Sequence, residues 1–150
     1  MSKIEKDQLI LIAEDSDDDY EVTLHALKKS GNLKNPIHRC EDGQELLDYL
    51  KKEGKYADDA TVTVPGLILL DLNMPGIDGR TALQEIKADD DLKDIPVVVL
   101  TTSNDEKDIH ACYKDGANTY IHKPVDLDGF FNAIKQLKEY WFQIAILPRK

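Results

Sequence analysis

Short apolar runs rich in Leu, Ile and Val alternate along the chain with segments whose apolar residues recur at helical spacing, the pattern of βαβ units feeding a parallel sheet. The first run, Leu9-Ile10-Leu11-Ile12-Ala13, ends at Glu14-Asp15. Too short for a helix and followed by polar residues, it suits a strand buried on both faces. Ser16 offers an N-cap, and Asp17, Asp18 and Asp19 crowd a first turn where the helix dipole favours negative charge. Tyr20, Thr23, Leu24 and Leu27 continue that helix to a stop at Gly31. A weak second strand covers Ile37 to Cys40, and after Asp42-Gly43 a second helix carries Leu46, Leu47 and Leu50. Residues 54–66 read as a loop, long for such a fold and without recognisable chemistry. The third run, Leu67-Ile68-Leu69-Leu70, ends at Asp71; a turn from Met74 to Gly79 leads into a short helix with Leu83 and Ile86 inward. Pro96 announces a fourth strand, Val97 to Leu100, ended by Thr101. Ile109, Cys112 and Tyr113 mark a fourth helix closed at Gly116, and a fifth strand from about Asn118 to His122 ends at Lys123-Pro124. A last helix starts near Asp126-Leu127-Asp128, with Phe130, Phe131, Ile134, Leu137 and Trp141 as its apolar positions. Five strands and five helices in strict alternation predict a doubly wound α/β domain.

At 150 residues, 41% hydrophobic and 32% charged, the chain has the size of one domain that stands without metals or disulfides. Nineteen Lys and Arg against 29 Asp and Glu give a net charge of −10, which argues against a nucleic-acid or anionic-membrane surface. The acidity serves either solubility or a cluster of carboxylates around a cation. Cys40 and Cys112 show no CxxC and no zinc spacing, and read as small apolar core residues in a reducing compartment. With no signal-peptide stretch and no apolar run near ~20 residues, a cytoplasmic protein is expected.

In open parallel sheets the site lies outside the carboxyl ends of the strands, and right-handed crossovers turn all those ends the same way. Here they carry Glu14 and Asp15, then Asp71, Thr101 and Lys123: three carboxylates, one hydroxyl and one ammonium on a single rim. Carboxylates that close repel one another, and a hard divalent cation removes the conflict. Mg²⁺ takes oxygen ligands and keeps several waters, leaving room for a phosphoryl oxygen. Asp71 is then the nucleophile, forming an acyl phosphate, with Lys123 covering a second phosphoryl oxygen and Thr101 donating a hydrogen bond to the same group. Asp17 to Asp19 complement the helix dipole, and none of His25, His38, His110 and His122 sits in a ligand or general-base pattern.

With these pieces in order, the sequence resembles the receiver domains of two-component response regulators over about residues 8–145. The matching motifs are Glu14-Asp15, then Leu69-Leu70-Asp71-Leu72-Asn73-Met74-Pro75 with Asp78-Gly79, then Val99-Leu100-Thr101-Thr102, and Lys123-Pro124. The resemblance implies a flavodoxin-like (βα)5 fold with strand order 2-1-3-4-5. It makes Asp71 the phosphoacceptor for a phosphohistidine on a sensor histidine kinase. Mg²⁺ would be held by Asp15, Asp71 and the backbone carbonyl of Asn73, with Glu14 acting directly or through water. It also implies a switch: the Thr101 hydroxyl turns toward the phosphoryl group, an aromatic at Tyr120 moves inward behind it, and the surface of the fourth helix, fifth strand and last helix is remodelled. A phosphoryl group adds about −1.5 to −2 charges, enough to pull a hydroxyl and a loop into new contacts.

The whole of 1–150 is thus expected to be one receiver domain without an output domain, signalling through protein contacts or phosphorelay to a histidine phosphotransfer protein. It is not expected to be an enzyme beyond its own phosphorylation and dephosphorylation. From Tyr140 to Leu147 nearly every position is apolar, more than one helical face buries, which points to a partner or a homodimer through the last helix and the switched surface. Together with the 54–66 loop, this tail resembles the single-domain regulators that accompany bacterial phytochrome histidine kinases.

Two rival readings are an unphosphorylated pseudo-receiver and a haloacid-dehalogenase-like phosphatase. The second wants another Asp two residues after its nucleophile, where this chain has Asn73. Two departures from the commonest receiver pattern stand out: the acidic pair is Glu-Asp rather than Asp-Asp, and Thr102 stands where the family often has Ala, Gly or Ser. The branched Thr102 narrows access to the phosphoryl group, and Asn73 and Ser103 occupy positions where the family tunes hydrolysis. Substituting Ser103 is therefore expected to change the lifetime of the phosphorylated protein; a decay rate equal to that of the parent refutes this.

Overall fold

Alternation of side chains along each strand decides how the sheet is covered. Ile10 and Ile12 point to one face of the first strand while Leu11 and Ala13 point to the other, and all four are buried. A strand buried on both sides needs helices on both sides, which is the doubly wound arrangement. In a computed structural model, the structure describes residues 8–29, 35–72, 74, 76–101, 106–117, 119–122, 132 and 136. Its elements are β1 (Ile10–Ala13), α1 (Asp17–Lys29), β2 (Ile37–Cys40), α2 (Gly43–Lys51), a 3-10 turn (Gly54–Tyr56), β3 (Leu67–Asp71), α3 (Gly79–Ala88), β4 (Val97–Thr101), α4 (Glu106–Lys114) and β5 (Thr119–His122). The five strands lie in the order β2-β1-β3-β4-β5, every neighbouring pair parallel. Fold class and strand order follow the expectation. The last helix and the apolar tail lie outside the described residues, save 132 and 136.

Two cores result. Leu11, Ala13, Ile68, Leu70, Val97 and Val99 pack on one face against Leu46, Leu47, Leu83, Ile86 and Cys112 of α2, α3 and α4. Ile10, Ile12, Leu69, Val98 and Leu100 pack on the other face against Leu27 of α1. Helix starts are fixed as the polar pattern requires. The Ser16 hydroxyl accepts from the Asp19 N–H (3.2 Å), Asp42 from the Glu45 N–H (2.7 Å) and Asp78 from the Thr81 N–H (2.8 Å). Both cysteines are buried thiols, and burial pushes Cys40 well above the ordinary thiol range. Of the residues that mark α4, Cys112 is buried in the core while Tyr113 is 49% exposed.

The 54–66 segment also departs from a plain loop. It opens with the 3-10 turn, whose last residue, Tyr56, is buried against the stacked pair His38 and Tyr49. The Tyr56 hydroxyl donates to Glu45 Oε2 at 2.6 Å, so at its 2.8 Å contact with His38 the imidazole Nε2 is the donor. Glu45 also takes the Glu41 N–H (2.9 Å) and the Lys55 ammonium (3.0 Å). Burial works to raise Glu45, but the bonds from Tyr56, Glu41 and Lys55 outweigh it and hold the carboxyl below its ordinary value. For His38, burial lowers the value below the ordinary 6.5 against the opposing pull of Glu45.

These shifts fix the sign of an acid effect. A histidine whose folded value is depressed leaves the unfolded chain holding more protons below pH 6.5, so its contribution is present above 6.5 and fades as pH falls beneath it. Glu45, depressed below 4.5, contributes above that value and fades at still lower pH. In urea titrations the protein is expected to lose stability between pH 7 and pH 5, and His38→Gln to flatten that window. Tyr56→Phe is expected to cost about 1–3 kcal/mol at pH 7 by leaving the Glu45 carboxylate short of a donor. A pH profile unaltered by His38→Gln contradicts this account.

Candidate phosphoacceptor and cation site

Strand register builds the site. Ala13 pairs with Leu70 across β1 and β3, so one step further along the same register sets Glu14 beside Asp71. Glu14 is 2% exposed and Asp71 6% exposed, while Asp15 stands exposed at the mouth. The carboxylates of Glu14, Asp15 and Asp71 bring one oxygen each within 4.8 Å of one another. The expected acidic rim is thus assembled from residues far apart in the chain.

The loop carrying the acidic pair is held from several sides. The Glu14 N–H donates to the Cys40 carbonyl (3.0 Å), and the Ser16 N–H donates to Glu14 Oε2 (3.3 Å). Arg39 braces it from β2. Its Nε donates to the Glu14 carbonyl oxygen at 3.0 Å, its Nη1 meets the Asp17 carboxylate at 2.7 Å, and its guanidinium lies over the Tyr20 ring at 4.7 Å. The buried Nη2 has no hydrogen-bond partner among the described residues, and the face of Tyr20 offsets part of that cost.

Gly79 performs a second positioning task. Its N–H donates to the Leu72 carbonyl at 3.0 Å, which docks the start of α3 against the end of the strand bearing Asp71. A Cβ at that position would run into the Asp71 carbonyl oxygen and lie 2.7 Å from Leu72 Cα.

Sequence reasoning overlooked Arg39, and named Gly79 only as part of the Asp78-Gly79 motif without its packing role. The signal for Arg39 was a lone cation inside a four-residue strand beside an acidic loop. The signal for Gly79 was a glycine directly after the Asp78 cap.

The donor set fits a hard divalent cation. Three carboxylates and no nitrogen or sulfur select Mg²⁺, Mn²⁺ or Ca²⁺ over softer metals. A second trio, His38, Cys40 and Glu45, is equally close, but there the Tyr56 hydroxyl bridges imidazole and carboxylate and the Lys55 ammonium sits on Glu45. That trio is a closed hydrogen-bond network rather than a cation site. Thr101 closes β4, one step beyond the Asp71 and Leu100 pairing and across from His122, and Tyr120 pairs with Val99 in β5. Their side chains, and Asn73, Thr102, Ser103 and Lys123 altogether, lie outside the described residues.

The family model for the response regulator receiver domain matches residues 10–135. The chain belongs to the response regulator receiver family. This receiver is 38% identical over 141 residues to response regulator Rcp1 of Synechocystis sp., a match covering 94% of this chain and 93% of Rcp1. Among solved structures it is similar to the phosphorylated cyanobacterial phytochrome response regulator RcpA, with 40% identity, a TM-score of 0.88, and coverage of 95% of this chain and 99% of that one. It is also similar to the Mn²⁺-bound form of Rcp1, with 37% identity, a TM-score of 0.87 and the same coverage. This is a two-component signalling protein related to phytochrome response regulators. No helix among the described residues is long and apolar enough to cross a membrane.

Gly79→Ala is expected to destabilise this receiver by about 1–3 kcal/mol, because the added methyl must displace backbone rather than a flexible side chain. In amide spectra the largest changes should fall at Asp71 and Leu72; an unshifted spectrum with parental stability would show that the helix start is not wedged against the strand.

Proposed function

We propose that this receiver is a stand-alone response regulator that takes a phosphoryl group onto Asp71 from the phosphohistidine of a sensor histidine kinase. The observation that carries the reading is the convergence of the Glu14, Asp15 and Asp71 carboxylates to within 4.8 Å at the carboxyl ends of β1 and β3. The match spans 93% of Rcp1 and 99% of the RcpA chain, which supports reading these residues as a regulator of the same kind. The likeness to RcpA, a phytochrome response regulator, supports a phytochrome-type kinase as the partner.

An Asp71 oxygen attacks the donor phosphorus in line with the departing imidazole nitrogen. The phosphorus–nitrogen bond breaks as the phosphorus–oxygen bond forms, leaving an acyl phosphate on Asp71 and a free histidine on the kinase. Glu14, Asp15, Asp71 and the Asn73 carbonyl hold Mg²⁺, which when bound neutralises the clustered carboxylates and charge on the phosphoryl oxygens. Burial of Glu14 and Asp71 sharpens their interaction with the incoming charge by excluding water. Lys123 covers a further phosphoryl oxygen, and Thr101 donates a hydrogen bond to the group. Thr101 and Tyr120 then switch the face made by α4, β5 and the last helix, which signals in the cytoplasm through protein partners, a second copy, or relay to a histidine phosphotransfer protein.

Incubation with acetyl phosphate and Mg²⁺, followed by intact-mass measurement, tests the assignment. The parent is expected to gain the mass of one phosphoryl group, and to fail to do so with chelator present or as Asp71→Asn. Equal uptake by Asp71→Asn overturns the acceptor, and no uptake by the parent supports the pseudo-receiver instead.

A further inference from the structure

On the far side of α4 from the core, the structure carries a feature that the phosphoacceptor chemistry does not use. Lys107, His110, Ala111 and Lys114 stand at i, i+3, i+4 and i+7 of that helix and so share one stripe, opposite the buried Cys112. Arg80 of α3 closes the stripe from the neighbouring helix, and the five side chains line an open groove of about 470 Å3. Arg80 is fixed there through Nε on the Asp115 carboxylate at 3.2 Å, which also takes the Gln84 amide at 3.2 Å. Three of the five lining residues, Lys107, Lys114 and Arg80, are formally positive in a chain whose net charge is −10, with Arg80 sharing its charge with Asp115. Positive charge gathered at one groove of so acidic a chain favours an anionic occupant.

We infer that the α3–α4 groove is a docking site for an extended acidic segment of a partner protein, with Lys107, Lys114 and Arg80 as its cationic contacts and His110 as a hydrogen-bonding one. Geometry selects this occupant. Lys107 and Lys114 lie seven residues apart, about 10 Å along the helix, a span matched by roughly three residues of extended chain. A compact anion such as free phosphate reaches only part of that length, and the groove offers it no buried charged side chain. A nucleic acid brings its backbone charge against the acidic remainder of the molecule, which repels it within a Debye length of about 8–10 Å. A short acidic peptide touches only the stripe. Tyr113, exposed on α4, sits off this stripe and is not among the residues that line the groove.

The test uses a fluorescein-labelled hexaglutamate peptide, with hexaglutamine as control, against the full chain in low-salt buffer. Saturable anisotropy is expected with hexaglutamate alone. Lys107→Glu with Lys114→Glu is expected to weaken binding by about tenfold or more, and the milder Lys107→Gln with Lys114→Gln by several-fold. Salt at about 0.5 M should abolish it, and amide shifts in the parent should centre on 107–114 and Arg80. All substitutions are at exposed positions, and unchanged melting confirms that each variant is folded. Equal binding by both paired variants, equal binding of hexaglutamine, or shifts centred elsewhere overturns the proposal. So does tighter binding of inorganic phosphate or a short DNA duplex at the same residues.

Discussion

Two buried carboxylates side by side are the interaction around which this receiver is arranged. The parallel pairing of β1 with β3 sets Glu14 next to Asp71, and both are almost closed to solvent. Such a pair is costly in isolation, because burial penalises each charge and proximity penalises both together. Several features of the molecule offset the cost. Asp15 adds a third oxygen donor to complete a cation site, the Ser16 N–H reaches Glu14, and Arg39 places its positive charge directly behind the loop. The sheet cores on either side hold the strands in a register that the repulsion alone would not choose.

The parts visible in the sequence were those set by burial alone. Leu9 to Ala13, Leu67 to Leu70 and Val97 to Leu100 are apolar on successive positions because both faces of the central strands are covered, so their ends, and with them Glu14, Asp15, Asp71 and Thr101, were marked by where the apolar run stops. The cap at Ser16 was visible because its chemistry is local, and Asp42 and Asp78 cap their helices in the same way. What escaped were contacts between segments distant in the chain. Tyr56 looked like one aromatic in a polar loop; only the fold brings it to Glu45 and His38 and turns the 54–66 segment into a strap over α2. Arg39 escaped likewise, as did the packing role of Gly79, since their value lies in which backbone atoms they face.

Rigidity and charge are distributed unevenly over the fold. The carboxylate end of the sheet is tied down by hydrogen bonds onto backbone carbonyls: Gly79 to Leu72, Glu14 to Cys40, and the Arg39 side chain to Glu14. The α3–α4 flank instead carries long, exposed cationic side chains over an open groove. A site that must hold reacting atoms in place benefits from the first kind of construction. A surface that meets partners by charge tolerates the second.

The outermost strand β2 has a consequence for how copies of this molecule meet. It is only four residues long, and its two central side chains are already engaged, His38 with Tyr56 and Arg39 with Asp17. A short border strand bearing a cation is a poor template for edge-to-edge hydrogen bonding with another sheet. On this side the protein is therefore guarded against fibrillar stacking.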